Sequence, residues 1–490
     1  MSVPKQDRTH LKIAYIFLAI LGFWFYHQFH NSERIGSNEG FGSDGNVYIV
    51  IAVNLDRYLY GHRVDKYFFQ RVLPSFIIHY GAKAVGFKFQ SRADMIQSFY
   101  VYNCILLVIG IWLFYLIANH FKWDLNLRFI GFSAIFLIYP IIKHFPYYVP
   151  LTDISAMTLG ILMFYFYLKK RSWGVLFCSL LAAFVFPTMI YLGAIWFLFP
   201  IFKKKKYSPE KNTIVNHLIP AIPLLGFLGI IYYSIEVGFQ IPNHTNQINY
   251  PLLIPSIIGL AAYLYFVGIA FTDYKYLMKS FKKQSKPARI IWILILIGLV
   301  KLTIDTYASD VEHSTNFKIF LMSISMQSVV NPLTYVVSHI IFYGPLIVVL
   351  IFIWKQFIEL IKSRYGIGMF LFVVFNLLLA ITPESRRLIN VWPVFVILIC
   401  QVLYNYKLSW NFTYIIVGIT LFLSRFWFKI GVERLAGESM EFPLQRHFMH
   451  SGPWMNNQVY YVFTAIAIGL ILAVYFLMKK EKMLTAKVAA

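Results

Sequence analysis

Apolar runs of roughly twenty residues recur along the whole chain, and that is the length of helix that crosses a hydrocarbon core about 30 Å thick. They fall near 11–28, 96–119, 128–142, 152–168, 173–187, 188–202, 213–234, 252–272, 290–304, 334–354, 366–382, 388–405, 411–429 and 458–478. Only 13% of the 490 residues are charged, against about 25% in soluble domains. So few charges cannot coat the several soluble domains that this length would otherwise make. The chain reads as all-α and polytopic, one integral-membrane domain over 1–490 with about 14 transmembrane helices. No separate soluble domain is expected. The first run is too long to be a cleaved signal peptide, and too few small residues follow it.

A net charge of +23 invites a nucleic-acid reading, but its distribution argues otherwise. Lys5, Arg8 and Lys12 precede the first run. The later basic clusters are Lys169-Lys170-Arg171, Lys203 to Lys206, Lys275 to Arg289, Lys355 to Arg364 and Lys479-Lys480-Lys482. All of them occupy alternate loops, so the positive-inside rule places both termini in the cytoplasm. The excess charge is an orientation signal and a contact with anionic lipid. No nucleic-acid partner is implied. Cys104, Cys178 and Cys400 lie inside apolar runs and offer neither a disulfide framework nor metal-ligand spacing.

The opposite loops are longer and richer in acids, so any chemistry belongs to the outer face. The first, 29–95, starts with polar turn material rich in glycine. Two apolar stretches follow, each too short to span: Val47 to Val53, then a helical pattern over Tyr67 to Tyr80 with Gln70 and Arg71 near its start. Both read as interfacial helices. Asp44 stands where the chain leaves water for the bilayer. One reading makes it a helix N-cap. The other makes it a general base, a role that partial desolvation favours.

Three short segments carry a resemblance. The first is Asp44-Gly-x-x-Tyr48-x-x-x-Ala52 with Tyr67-x-x-Gln70-Arg71-x-Leu73-Pro74. The second is Tyr147-Tyr148-Val-Pro150-Leu-Thr-Asp153-Ile-Ser-Ala156, and the third is Glu384-Ser-Arg386-Arg387 before Trp392-Pro393. Together they resemble the outer loops of GT-C-fold glycosyltransferases, multi-spanning enzymes that use polyprenyl-phosphate-linked sugars. The resemblance implies a GT-C-like fold and a catalytic Asp44, with Asp153 as a second acid. It also implies transfer of a sugar to a glycan, lipid or protein acceptor, in the bacterial inner (plasma) membrane. Many such enzymes carry two acids in the first loop; here Asp44 stands alone, with Glu39 upstream. A divalent cation, Mg or Mn, is therefore an open expectation and no metal ligand is assigned.

Other charges are weighed against plainer roles. Ionisable groups at membrane depth are costly and mark function, which favours Asp153 over a surface pairing with Lys143. Arg71, Arg386, Arg387 and Lys143 are candidate ligands for the lipid phosphate, since guanidinium forks match phosphate oxygens. Tyr48, Gln70, Tyr147 and Tyr148 are candidate substrate contacts, with Trp454 as a further aromatic. Lys301 and Asp305 read as an i,i+4 salt bridge. Asp310, Glu312 and His313 form a loop triplet too weak to define a metal site. Arg434, Arg446 and His447 share the last outer loop, and Asn243-His-Thr245 is a glycosylation sequon. Two other functions fit the architecture. A polysaccharide polymerase or oligosaccharide ligase would rely on outer arginines, and a secondary transporter would need a midplane site with paired broken helices.

Overall fold

A computed structural model describes residues 5–31, 33–35, 37–201, 214–241, 248–284, 286–309, 317–428 and 455–483. Asn243 to Thr245, Lys203 to Lys206, the Asp310–His313 triplet, Arg434, Arg446, His447 and Trp454 lie outside the described residues. Among the described residues the fold is all-helical, and the sole β-pairing is one bridge between Asp65 and Ser309.

Six described helices are long and apolar enough to cross a membrane: Thr9–Asn31, Arg92–His120, Ile214–Glu236, Tyr250–Phe271, Pro287–Tyr307 and Asn457–Lys480. A seventh span results if Leu125–Phe136 and Pro140–Tyr147 are joined across their 46° bend. Pro140 has no N–H to continue the ladder, which accounts for the break. Phe23, Ile254, Leu294 and Phe476 on these helices are exposed, as fits a hydrocarbon solvent. The described residues are thus mainly helical, with the spans of a multi-pass membrane protein.

The expectation of about fourteen full spans outruns the helix lengths. The other apolar runs form shorter helices, including Asp153–Leu168, Ser172–Ala182, Met189–Leu198, Ile367–Leu379, Trp392–Leu403 and Trp410–Leu423. The run 334–354 is broken into Thr334–Tyr343 and Leu346–Phe352 by Gly344-Pro345. Proline and glycine inside an apolar run shorten the helix without lowering its hydropathy, so a hydropathy reading counts the run whole.

Trp392–Leu403 is the axis of the fold. All of its residues are buried, as expected of a helix that is apolar on every side. It packs against Leu125–Phe136 and Asp153–Leu168. Trp392 anchors its start: the indole N–H donates to the Ala134 carbonyl at 2.7 Å, and the ring stacks on Tyr343 at 4.5 Å. Gly160 lets Asp153–Leu168 come close to the entry of this helix. A Cβ there would stand 1.9 Å from the Asn390 carbonyl oxygen. The start of Asp153–Leu168 and the loop that holds Arg386 are drawn together as a result.

The first outer loop carries more helix than the two stretches read from its pattern. Ser43–Val53 is followed by Leu55–Tyr60, Lys66–Phe69 and Leu73–Ala84. The single helix expected over 67–80 is corrected to two. Pro74 cannot take a place in a helix interior but suits a first turn, so the chain restarts at Leu73. Gln70 and Arg71 consequently sit in the turn between helices.

Candidate functional site

Loop 144–152 is stitched to its neighbours by main-chain groups. The Ile35 N–H donates to the Tyr147 carbonyl at 3.1 Å, and the Arg34 guanidinium donates to the Pro146 carbonyl. Asn103 Nδ2 donates to the Val149 carbonyl at 2.9 Å. The first and second outer loops therefore form one surface over the end of Arg92–His120.

Asp44 is not the N-cap. That position belongs to Gly42, and Asp44 lies in the first turn of Ser43–Val53. Negative charge there is favoured by the helix dipole. The capping oxygen comes from a distant segment: the Tyr148 hydroxyl accepts the Gly45 N–H at 3.3 Å. Gly42 has φ +72°, and a Cβ on it would meet the Tyr148 ring at 2.2 Å. Only glycine lets the ring sit over the helix start. The Asp44 carboxylate is half-buried and, among the described residues, has no hydrogen-bond or ion-pair partner.

Arg71 faces the same region. Its Nη1 donates to the Tyr67 carbonyl at 2.8 Å, and its guanidinium lies 3.8 Å from the Tyr67 ring centroid. No carboxylate pairs with it among the described residues. Tyr67, quoted above only as part of a segment, is what fixes Arg71.

The two arginines of the late loop have separate partners. Arg386 Nε lies 3.3 Å from Asp153 Oδ1, whereas Arg387 Nε lies 2.7 Å from Glu384 Oε2. Burial lowers the affinity of Arg386 for its proton, but Asp153, Glu384 and Asp44 outweigh that and hold it above its ordinary value. Both Asp153 carboxylate oxygens are buried without a hydrogen-bond donor. Burial pushes the Tyr48 and Tyr67 hydroxyls up; in both cases Arg71 opposes the shift and Asp44 adds to it. Tyr148 is pushed up to about 12, by burial first and then by Asp44. Asp44, Arg71, Asp153 and Arg386 thus share one electrostatic neighbourhood, built from three loops that the sequence keeps far apart.

The salt bridge expected of Lys301 and Asp305 is corrected, and other residues singled out in the sequence find their partners. Lys143 does not pair with Asp153; its Nζ lies 3.2 Å from Glu33 Oε2. Lys301 and Asp305 do not pair either, since Asp305 Oδ1 lies 3.7 Å from Lys66 Nζ across to the first loop. Tyr48, Tyr147 and Tyr148 are buried and line the packing between the first and second outer loops. Gln70 is half-buried beside Arg71.

The late loop is held by one helix. Ser338 Oγ donates to the Pro383 carbonyl at 2.8 Å, and the Tyr343 hydroxyl donates to the Ser385 carbonyl at 2.6 Å. His339 bridges the Ala380 carbonyl at 2.9 Å through Nε2 and the Ser385 hydroxyl at 2.8 Å through Nδ1. That pairing sets the tautomer: Nε2 carries the proton and Nδ1 accepts. These three side chains were missed in the sequence. The available signal was a histidine with a tyrosine four residues on, inside an apolar helix.

A cleft of about 330 Å³, which Val72 joins in sequence to Arg71, lies between the first-loop helices and Pro287–Tyr307. Phe69, Val72, Phe76, Phe184, Thr303 and Tyr307 line it. Among the described residues no three His, Cys, Asp or Glu side chains converge as a metal-ligand set, and Asp153 is already turned to Arg386.

No family model matches the chain, and no curated protein or solved structure is detectably similar to it.

Proposed function

We propose that the protein is a GT-C-like membrane glycosyltransferase that moves a sugar from a polyprenyl-phosphate carrier to an acceptor at the outer face. The observation that carries this reading is the convergence of an uncommitted carboxylate, Asp44, with two guanidinium groups, Arg71 and Arg386, next to an apolar cleft. A lipid-linked donor asks for that combination: cations for its phosphate, carbon surface for its chain and a base for the acceptor.

In the reaction, Asp44 takes the proton of an acceptor hydroxyl. The oxygen bonds to the anomeric carbon as the bond from that carbon to the phosphate oxygen breaks. Polyprenyl phosphate leaves with the electron pair, and a single displacement inverts the anomeric centre. Charge grows on the leaving phosphate, where preorganised guanidinium donors act most strongly. Arg71 and Arg386 supply them, and Arg387 stays with Glu384 in a supporting role. The lipid chain runs into the cleft flanked by Phe69 and Tyr307. The shorter helices of the remaining apolar runs belong to this reading as paired or re-entrant elements around the site.

The test uses purified chain in proteoliposomes supplied with a panel of polyprenyl-phosphate sugars. Release of polyprenyl phosphate that depends on an added acceptor, with a glycosylated product of inverted configuration, supports the reading. Uptake of a sugar or lipid without any covalent product sinks it in favour of transport.

A further inference from the structure

A second cleft lies at the membrane face opposite the site. Helix Arg92–His120 has 29 residues and so extends about 43 Å. Its Arg92 end pairs with Glu39 of the first outer loop, which leaves its His120 end at the far face. There Lys5–Asn31, Arg92–His120 and Leu125–Phe136 enclose about 200 Å³, lined by Phe17, Leu18, Tyr115, Phe129 and Phe132 with Arg128 as the one charged group. A dry apolar cavity of roughly 150 Å³ accepts benzene, so this one has room for a length of alkyl chain. Leu18 and Tyr115 are exposed, which opens the cleft sideways to the surroundings of the helices.

Arg128 is held in place without being used up. Its Nε donates to the Trp123 carbonyl at 2.9 Å, and its guanidinium lies 5.9 Å from the Tyr115 ring centroid. Among the described residues no carboxylate pairs with it. The neighbouring acid, Asp124, caps its own helix by accepting the Leu127 N–H at 3.0 Å. Lys122 is exposed nearby, and Lys169 and Arg364 both act electrostatically on His120. The cleft therefore presents an oriented guanidinium above a carbon-lined slot.

We propose that this cleft binds an anionic phospholipid of the bilayer, with one acyl chain among Phe17, Phe129 and Phe132 and the headgroup phosphate on Arg128. The charge and the shape point to the same ligand: an alkyl chain joined to a phosphate. The inference needs only the membrane reading of the helices and is independent of the proposed transfer reaction.

Native mass spectrometry of the detergent-solubilised full chain, titrated with palmitoyl-oleoyl phosphatidylglycerol or the matching phosphatidylcholine, tests it. The first-bound lipid should favour phosphatidylglycerol about tenfold, because the choline ammonium of phosphatidylcholine offsets its phosphate charge beside Arg128. Arg128→Gln should remove that preference. Phe132→Trp, which fills the slot and keeps the charge, should lower occupancy by both lipids, and Lys170→Gln should change neither. Equal occupancy by the two lipids in the unaltered protein overturns the proposal, as does an unchanged preference in Arg128→Gln. Should Arg128→Gln fail to fold, undiminished binding in Phe132→Trp overturns it equally.

Discussion

Arg386 Nε stands 3.3 Å from Asp153 Oδ1, joining two loops from opposite halves of the chain, and neither carboxylate oxygen of Asp153 accepts a hydrogen bond. A buried ion pair is favourable only when further hydrogen bonds satisfy its remaining lone pairs. This one is therefore poised for exchange. A phosphate group, able to take two N–H donors from one guanidinium, competes well for Arg386.

Removing the internal competitor should strengthen phosphate binding. Asp153→Asn is expected to raise affinity for polyprenyl phosphate by about five- to tenfold, equivalent to roughly 1 kcal/mol. Microscale thermophoresis of the purified variants measures it. Weaker binding in Asp153→Asn would mean that the acid supports the ligand and does not compete with it.

Arg71 has an aromatic and a carbonyl partner but no acid, so its charge is available to a ligand. Arg71→Ala should weaken binding of the same lipid phosphate by about 10- to 100-fold, the range for a hydrogen bond to a charged group. Arg71→Lys should recover only part of it, because an ammonium lacks the fork. Full recovery with lysine would contradict a bidentate contact.

The Tyr148 hydroxyl caps a helix that lies far from it in sequence. Tyr148→Phe should cost about 1 kcal/mol, the usual worth of a capping group. Gly42→Ala should cost more, about 1–3 kcal/mol, since it adds a left-handed strain to a ring collision. Thermal unfolding in detergent ranks the two. A Gly42→Ala protein as stable as the parent would show that the ring does not sit over the helix start.

Filling the cleft lined by Phe69, Val72 and Thr303 separates lipid from phosphate recognition. Thr303→Trp should raise KM for a long polyprenyl donor by about tenfold while leaving a short-chain donor nearly unaffected. Equal effects on both donors would place the lipid chain elsewhere.

Much of this site was legible in the sequence because it rests on costly residues. Asp44, Arg71, Asp153 and Arg386 were singled out as charges with no orienting role, and the structure brings them into one neighbourhood. Geometry within the loops was less legible. Pro74 moved Gln70 and Arg71 from a helix into a turn, and Gly42 took the capping position that one of two readings gave to Asp44. Pairings also escaped, since a lysine's reach across a fold leaves no local trace: Lys66 took Asp305 from Lys301, and Glu33 took Lys143. The clamp formed by Ser338, His339 and Tyr343 was invisible for a related reason. Its partners are main-chain carbonyls and one serine, which no side-chain pattern announces.

The account rests on Asp44 as the base, and one measurement addresses it most directly: the rate of sugar transfer by Asp44→Asn in proteoliposomes, with insertion verified and lipid-phosphate binding measured in parallel. Loss of the base should lower the rate by about 10²- to 10⁴-fold with binding of polyprenyl phosphate little changed. Transfer by Asp44→Asn at close to the unaltered rate would contradict it.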